Sequence, residues 1–220
     1  MPIDTQSLRI LSHEPMGRDA FLLRLERPDW SWRAGELVGI LGATAVDQRD
    51  YTIASGERDD TLDVIYRLIP HGVLTPFLRK KAPGDTLRVL GPYGRFVLRD
   101  PNRPVLFCAT GTGIAPCRAY LRTHPTLDLT LLHGVRHPED LYFREEFERS
   151  QYHPHCSRTR LAGATERITD TLKTMELPDG VHVYLCGANE MIYEADEILS
   201  ERGVGFDQIF HEPYYYRAGD

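Results

Sequence analysis

The sequence predicts two domains: an antiparallel β-barrel over residues 1–100, and an α/β domain with a doubly wound parallel sheet over 101–220. Three observations predict it. Short β-rich runs separated by turn formers fill the first hundred residues, as in a small barrel. After Asp100-Pro101-Asn102-Arg103-Pro104 the pattern becomes apolar strand then helix, repeated, which is the grammar of a doubly wound sheet. A length of 220 residues allows one large domain or two compact ones, since domains run roughly 100–200 residues, and two are expected.

In the first half, Ser7–Leu11, Ala20–Leu25, Glu36–Leu41, Asp50–Ala54, Leu62–Ile69 and Thr86–Leu90 read as strands, by β-branched content and alternation. One short helix is expected over Val73–Lys81, with Leu74, Phe77 and Leu78 on one face and Pro83-Gly84-Asp85 stopping it. In the second half, buried strands are expected at Val105–Ala109, Leu129–Gly134, His155–Arg160 and Val181–Cys186, with a last one at Gln208–His211. The intervening helices are expected near Ile114–Arg122, Leu141–Arg149, Arg167–Met175 and Glu190–Arg202. There is no internal repeat and no low-complexity segment.

Composition narrows the function. Hydrophobic residues at 41% and charged residues at 26% are ordinary for a globular protein. A net charge of -6 offers no basic field for a phosphate backbone, so no nucleic-acid partner is expected. Apolar runs such as Pro104–Ala109 fall far short of the ~20 residues that span a bilayer, and Met1–Ile10 has no charged-then-apolar leader. A cytoplasmic monomer with no membrane partner is expected. Cys108, Cys117, Cys156 and Cys186 are too dispersed for a zinc or iron–sulfur site and read as reduced thiols. His153-Pro154-His155-Cys156 reads as a loop entering a strand, so no metal is expected.

Two segments carry chemistry. Thr110-Gly111-Thr112-Gly113-Ile114-Ala115-Pro116 lies between a predicted strand and a predicted helix, where glycines let the backbone approach a phosphate and free amides favour a diphosphate. Such turns also serve merely to pack a helix on a strand, and no acidic residue follows about 20 positions on to complete a dinucleotide fingerprint. In Arg49-Asp50-Tyr51-Thr52-Ile53-Ala54-Ser55 a pleat would put Arg49, Tyr51, Ile53 and Ser55 on one face, aligning a cation, a flat ring and a hydroxyl. Taken alone this is equally an ordinary strand with a core tyrosine.

In combination the segments resemble the ferredoxin–NADP⁺ reductase superfamily, in its bacterial type. Arg49-Asp50-Tyr51-Thr52 resembles its flavin motif, and Gly111–Pro116 its pyridine-nucleotide motif. In the same order follow His71-Gly72-Val73-Leu74-Thr75, Gly91-Pro92-Tyr93-Gly94-Arg95-Phe96, Gly134-Val135-Arg136, Cys186-Gly187-Ala188-Asn189-Glu190-Met191 and His211-Glu212-Pro213-Tyr214. The likeness runs from about Leu8 to Tyr214.

The resemblance implies FAD in the first domain and NADP(H) in the second. Arg49, with Arg67 and the segment Gly72, Val73, Leu74 and Thr75, would hold the flavin and its pyrophosphate. Tyr51 would lie against the isoalloxazine, Thr52 stands where serine is more frequent, and the Ser55 hydroxyl would reach flavin N5. Tyr214 or Tyr215 would cover the opposite face and have to move for nicotinamide. Cys186 and Glu212 would flank that ring. Thr110, Gly111, Thr112, Gly113, Arg136, Gly187 and Met191 would hold the nucleotide. Ser157, Arg158 and Arg167, with no acidic residue at the end of the preceding strand, suit a ribose 2′-phosphate.

The implied activity is an FAD-dependent reductase that moves hydride between NADP(H) and flavin N5 and passes single electrons to ferredoxin or flavodoxin. The alternatives are an NAD(P)H:flavin oxidoreductase, or a reductase subunit of a multicomponent oxygenase. The basic run Arg79-Lys80-Lys81 on an acidic chain would steer an acidic carrier, or is a solvated helix end.

Overall fold

The computed structural model describes residues 4–44, 46–147, 150–158 and 167–214. They divide into two compact units: one takes the chain to Leu98 together with Ala115–Thr123, the other Arg99–Ile114 and the described chain from His124 onward.

The first unit contains β1 (Asp4–Met16), β2 (Ala20–Glu26), β3 (Leu37–Leu41), β4 (Gln48–Thr52), β5 (Thr61–Arg67), the helix α1 (Leu74–Arg79) and β6 (Thr86–Tyr93). The strands form an antiparallel sheet in the order β4-β3-β6-β1-β2-β5. β1 is far longer than its apolar middle suggests because it serves two partners. Asp4–Arg9 pairs with β6, Ile10–Met16 pairs with β2, and a bulge between Ile10 and Ser12 bends it from one to the other. The two edge strands meet at a single bridge, Ile53 to Val64, beside which the Ala54 amide donates to the Asp63 carbonyl at 2.8 Å. That seam closes the barrel around Leu8, Ile10, Leu23, Leu25, Val38, Ile40, Val64 and Val89, with Leu74 and Leu78 of α1 packed in.

In the second unit β7 (Val105–Thr110) leads through a 3-10 turn, Gly111–Ile114, into α2 (Ala115–Thr123), which packs with the first unit. Then come β8 (Leu129–Val135), 3-10 turns at Pro138–Asp140 and Arg144–Phe147, β9 (Gln151–Cys156), α3 (Ile168–Thr174), β10 (His182–Gly187), α4 (Asn189–Glu201) and β11 (Ile209–Pro213). The sheet is parallel throughout, in the order β11-β10-β7-β8-β9. This is a doubly wound topology whose strand order reverses between β7 and β10.

Three expectations need correction. The helix expected over Leu141–Arg149 is absent up to Phe147, beyond which 148–149 lie outside the described residues. Phe143 takes φ of 55°, which no right-handed helix accommodates, so the segment breaks into 3-10 turns. The third parallel strand runs over Gln151–Cys156, four residues earlier than His155–Arg160. Pro154 is tolerated because β9 is an edge strand whose outer side needs no amide. The alternation expected from Arg49 to Ser55 ends at Thr52, where β4 ends. There the Ile53 amide donates to the Glu36 carbonyl at 3.0 Å and the chain enters the seam, so Ile53, Ala54 and Ser55 are all fully buried.

Candidate cofactor sites

On the barrel unit, β4 presents Arg49 and Tyr51 half-buried while its neighbour Asp50 is exposed. Burial first, then the nearby Tyr66 phenol, pushes the Tyr51 hydroxyl well above the usual phenol range, so the ring is neutral. Tyr66 meets it edge-on at 6.5 Å between ring centroids, which fixes its tilt. Arg49 turns its guanidinium back onto the Gln48 carbonyl at 2.8 Å. A flat neutral ring beside a guanidinium suits a planar, anionic ligand.

At the start of α1, Thr75 accepts from the Ile69 amide at 2.9 Å, which fixes the turn through Gly72 ahead of the helix. Val73 is exposed, whereas Leu74 belongs to the core, so only its backbone is available to a ligand. Arg67, at the end of β5, lies 3.9 Å from Asp19. Thr52 is nearly buried at the end of β4.

Ser55 is a correction. It has no exposed surface, and its Oγ accepts the Asp63 amide at 3.0 Å, so it has no face to offer a flavin. Asp63 is itself buried, held by Arg118 of α2 at 3.0 Å and by Arg24 at 3.2 Å. Ser55 thus belongs to the seam that supports the motif strand.

On the second unit, the turn after β7 and the turn after β10 interlock at the point where strand order reverses. Gly113 is packed so tightly that a Cβ would overlap the Cys186 carbonyl. A Cβ on Gly187, at φ of 127°, would overlap the Thr110 hydroxyl, which takes the Ala188 amide at 2.8 Å. Gly111 differs. Its φ of 53° requires left-handed backbone, yet a Cβ there would meet nothing within 4 Å. The turn therefore presents open backbone where ligands of doubly wound sheets sit, with Thr112 half-buried beside it.

The ends of β8 and β9 bring three further residues together. The Ser157 amide donates to the Val135 carbonyl at 3.0 Å and the Arg158 amide to the Arg136 carbonyl at 3.1 Å, so the exposed Arg136, Ser157 and Arg158 are neighbours. Arg167 is exposed ahead of α3, its amide bound to Asp170 at 3.1 Å. In β10 and β11, Cys186 and Glu212 are register partners, and the Tyr214 amide donates to the Gly187 carbonyl at 2.9 Å. Cys186 is fully buried and Tyr214 half-buried. Met191 packs into the core of this unit with 9% of its surface exposed. Tyr215 lies outside the described residues.

Residues 8–98 match the oxidoreductase FAD-binding domain and residues 107–197 the oxidoreductase NAD-binding domain. The chain belongs to the ferredoxin–NADP reductase superfamily. Within it, the chain is 28% identical to ferredoxin–NADP reductase B of Sorangium cellulosum, over 97% of this chain and 98% of that one. It is 27% identical to the toluate 1,2-dioxygenase electron transfer component of Pseudomonas putida, over 82% of this chain but only 58% of that component. A ferredoxin NADP⁺ reductase from Neisseria gonorrhoeae, solved with FAD and NADP bound, superposes with a TM-score of 0.86 at 23% identity, covering 96% of this chain and 99% of that one. An Amycolatopsis cytochrome P450 reductase gives 0.87 at 24%, covering 96% and 70%. The chain thus carries an FAD-binding and an NAD-binding oxidoreductase domain. Among the described residues no set of His, Cys, Asp and Glu side chains is placed to hold a metal, and no helix is long and apolar enough to cross a membrane.

Sequence reasoning missed His133 and Arg118. Each leaves a sequence signal, a polar residue inside the largely apolar segments Leu129–Val135 and Ala115–Tyr120, but its partners lie on other elements.

Proposed function

We propose that the protein is an FAD-dependent NADPH reductase that delivers electrons singly to a ferredoxin- or flavodoxin-type carrier. The observation that carries the nucleotide preference is the juxtaposition of Arg136, Ser157 and Arg158 at the ends of β8 and β9: two guanidinium groups and a hydroxyl, all exposed. Such a set binds a 2′-phosphate through charge-assisted hydrogen bonds and has no carboxylate to accept a ribose hydroxyl. Arg167 adds a third guanidinium from the start of α3.

The flavin, when bound, accepts two electrons and a proton equivalent as hydride and releases electrons one at a time. Tyr51 would back its ring, Arg49 would neutralise its phosphates with the amides that open α1, and Thr52 would add a hydroxyl from the end of the same strand. The Gly111 turn and the amides that follow it hold the nucleotide diphosphate. Within the second unit, Tyr214 would give way to nicotinamide, which Cys186 and Glu212, register partners in β10 and β11, would border. Relatives named as oxygenase electron transfer components favour a second reading, in which the acceptor is an oxygenase partner and the same hydride step feeds it.

The test of the nucleotide assignment is Arg158→Ala. It is expected to raise the KM for NADPH at least tenfold while leaving that for NADH within twofold. Equal effects on both nucleotides, or none, would remove the assignment.

A further inference from the structure

Beneath the Gly111 turn lies a histidine that the reductase chemistry does not use. His133 sits in β8, between β7 and the edge strand β9, with no exposed surface. Its Nε2 lies 3.1 Å from the Gly111 carbonyl oxygen and its Nδ1 3.2 Å from the Tyr152 hydroxyl on β9. A carbonyl only accepts, so Nε2 carries the proton. Nδ1 then accepts from Tyr152, and the neutral tautomer is fixed. Tyr142 and Tyr152 enclose the imidazole at centroid distances of 6.2 and 6.3 Å, and Tyr152 is itself stacked on Phe147 at 6.0 Å. Burial holds the His133 pKa down to about 4, so the ring stays neutral at physiological pH.

Gly111 is where the turn needs a tether. At φ of 53°, with open space where a Cβ would stand, Gly111 has no side-chain packing to hold it. The Gly113 side of the turn is wedged against Cys186, whereas the Gly111 side is held from below by the imidazole. We infer that His133 is a positioning residue for dinucleotide binding: through Gly111 it fixes the turn in its diphosphate-binding conformation, with Tyr152 fixing His133 in turn. This rests on the turn being the diphosphate site. Because the diphosphate is common to both nucleotides, His133 governs affinity for NADP⁺ and NAD⁺ alike, unlike Arg158.

The experiment is calorimetric titration of the FAD-loaded full chain with NADP⁺ and NAD⁺, in the wild type and in His133→Leu, His133→Gln and Tyr152→Phe. Gln places a donor near the Nε2 position. His133→Leu should weaken both nucleotides by the same factor, about tenfold, the worth of one buried hydrogen bond with some loosening. His133→Gln should recover most of that, and Tyr152→Phe, which keeps the ring packing, should lose about threefold for both. If His133→Leu does not fold, the other two variants decide. Wild-type affinity retained in the variants, or Gln no better than Leu with both folded, overturns the inference. A wild-type protein that binds neither nucleotide overturns instead the assignment of the turn.

Discussion

Arg118 of α2 and Asp63 of β5 form an ion pair at 3.0 Å with both side chains only 4% exposed. Asp63 also takes Arg24 and the Thr61 hydroxyl, and Arg118 also donates to the Ala54 carbonyl at 3.1 Å. The pair therefore braces the seam that follows the flavin motif. Arg118→Met would strand a buried carboxylate only partly neutralised by Arg24. It is expected to cost about 3 kcal/mol in denaturant unfolding, with the double variant Arg118→Met/Asp63→Asn recovering part of the loss.

The two turn glycines should respond differently to alanine. Gly113→Ala places a Cβ against main-chain atoms of Cys186 and Gly187, which cannot rotate away. A loss of about 3 kcal/mol or more, with nucleotide binding abolished, is expected from unfolding and titration. Gly111→Ala meets no atoms and pays only for left-handed backbone, about 1 kcal/mol.

Tyr51→Ala removes the stacking surface and should weaken FAD binding about tenfold, followed by the recovery of flavin fluorescence on release. Tyr51→Phe keeps the ring and should bind FAD like the wild type. A tenfold loss in Tyr51→Phe would mean that the hydroxyl, not the face, carries the affinity.

The His133 imidazole makes stability depend on pH with a definite sign. Its folded pKa of about 4 lies below the ordinary 6.5, so the unfolded chain binds the proton first. The group is without effect above pH 6.5. Between pH 6.5 and 4 it withdraws stability as pH falls, by up to about 3 kcal/mol. His133→Gln should flatten that part of the unfolding profile. An unchanged slope would show that other groups set it.

Much of this was legible because apolar patterning and turn chemistry agree locally. The strand runs from Ala20 to Leu90 and, apart from the helix expected over Leu141–Arg149, the βα alternation after Pro104 recur in the structure within a few residues. What was not legible depends on partners distant in sequence. The early β9 depends on its edge position, which alone makes Pro154 acceptable. Ser55 looked like a surface hydroxyl because alternation was carried past Thr52, where the chain leaves one strand pairing for another. His133 and Arg118 look like misplaced polar residues until Gly111, Tyr152 and Asp63 are seen around them.

The most direct measurement of the central claim is anaerobic mixing of the purified FAD-loaded protein with NADPH, followed through the visible flavin band. The account predicts rapid bleaching with NADPH, slower bleaching with NADH at equal concentration, and return of colour when an oxidised ferredoxin or flavodoxin is added. A folded, yellow protein whose flavin neither nucleotide reduces would contradict it.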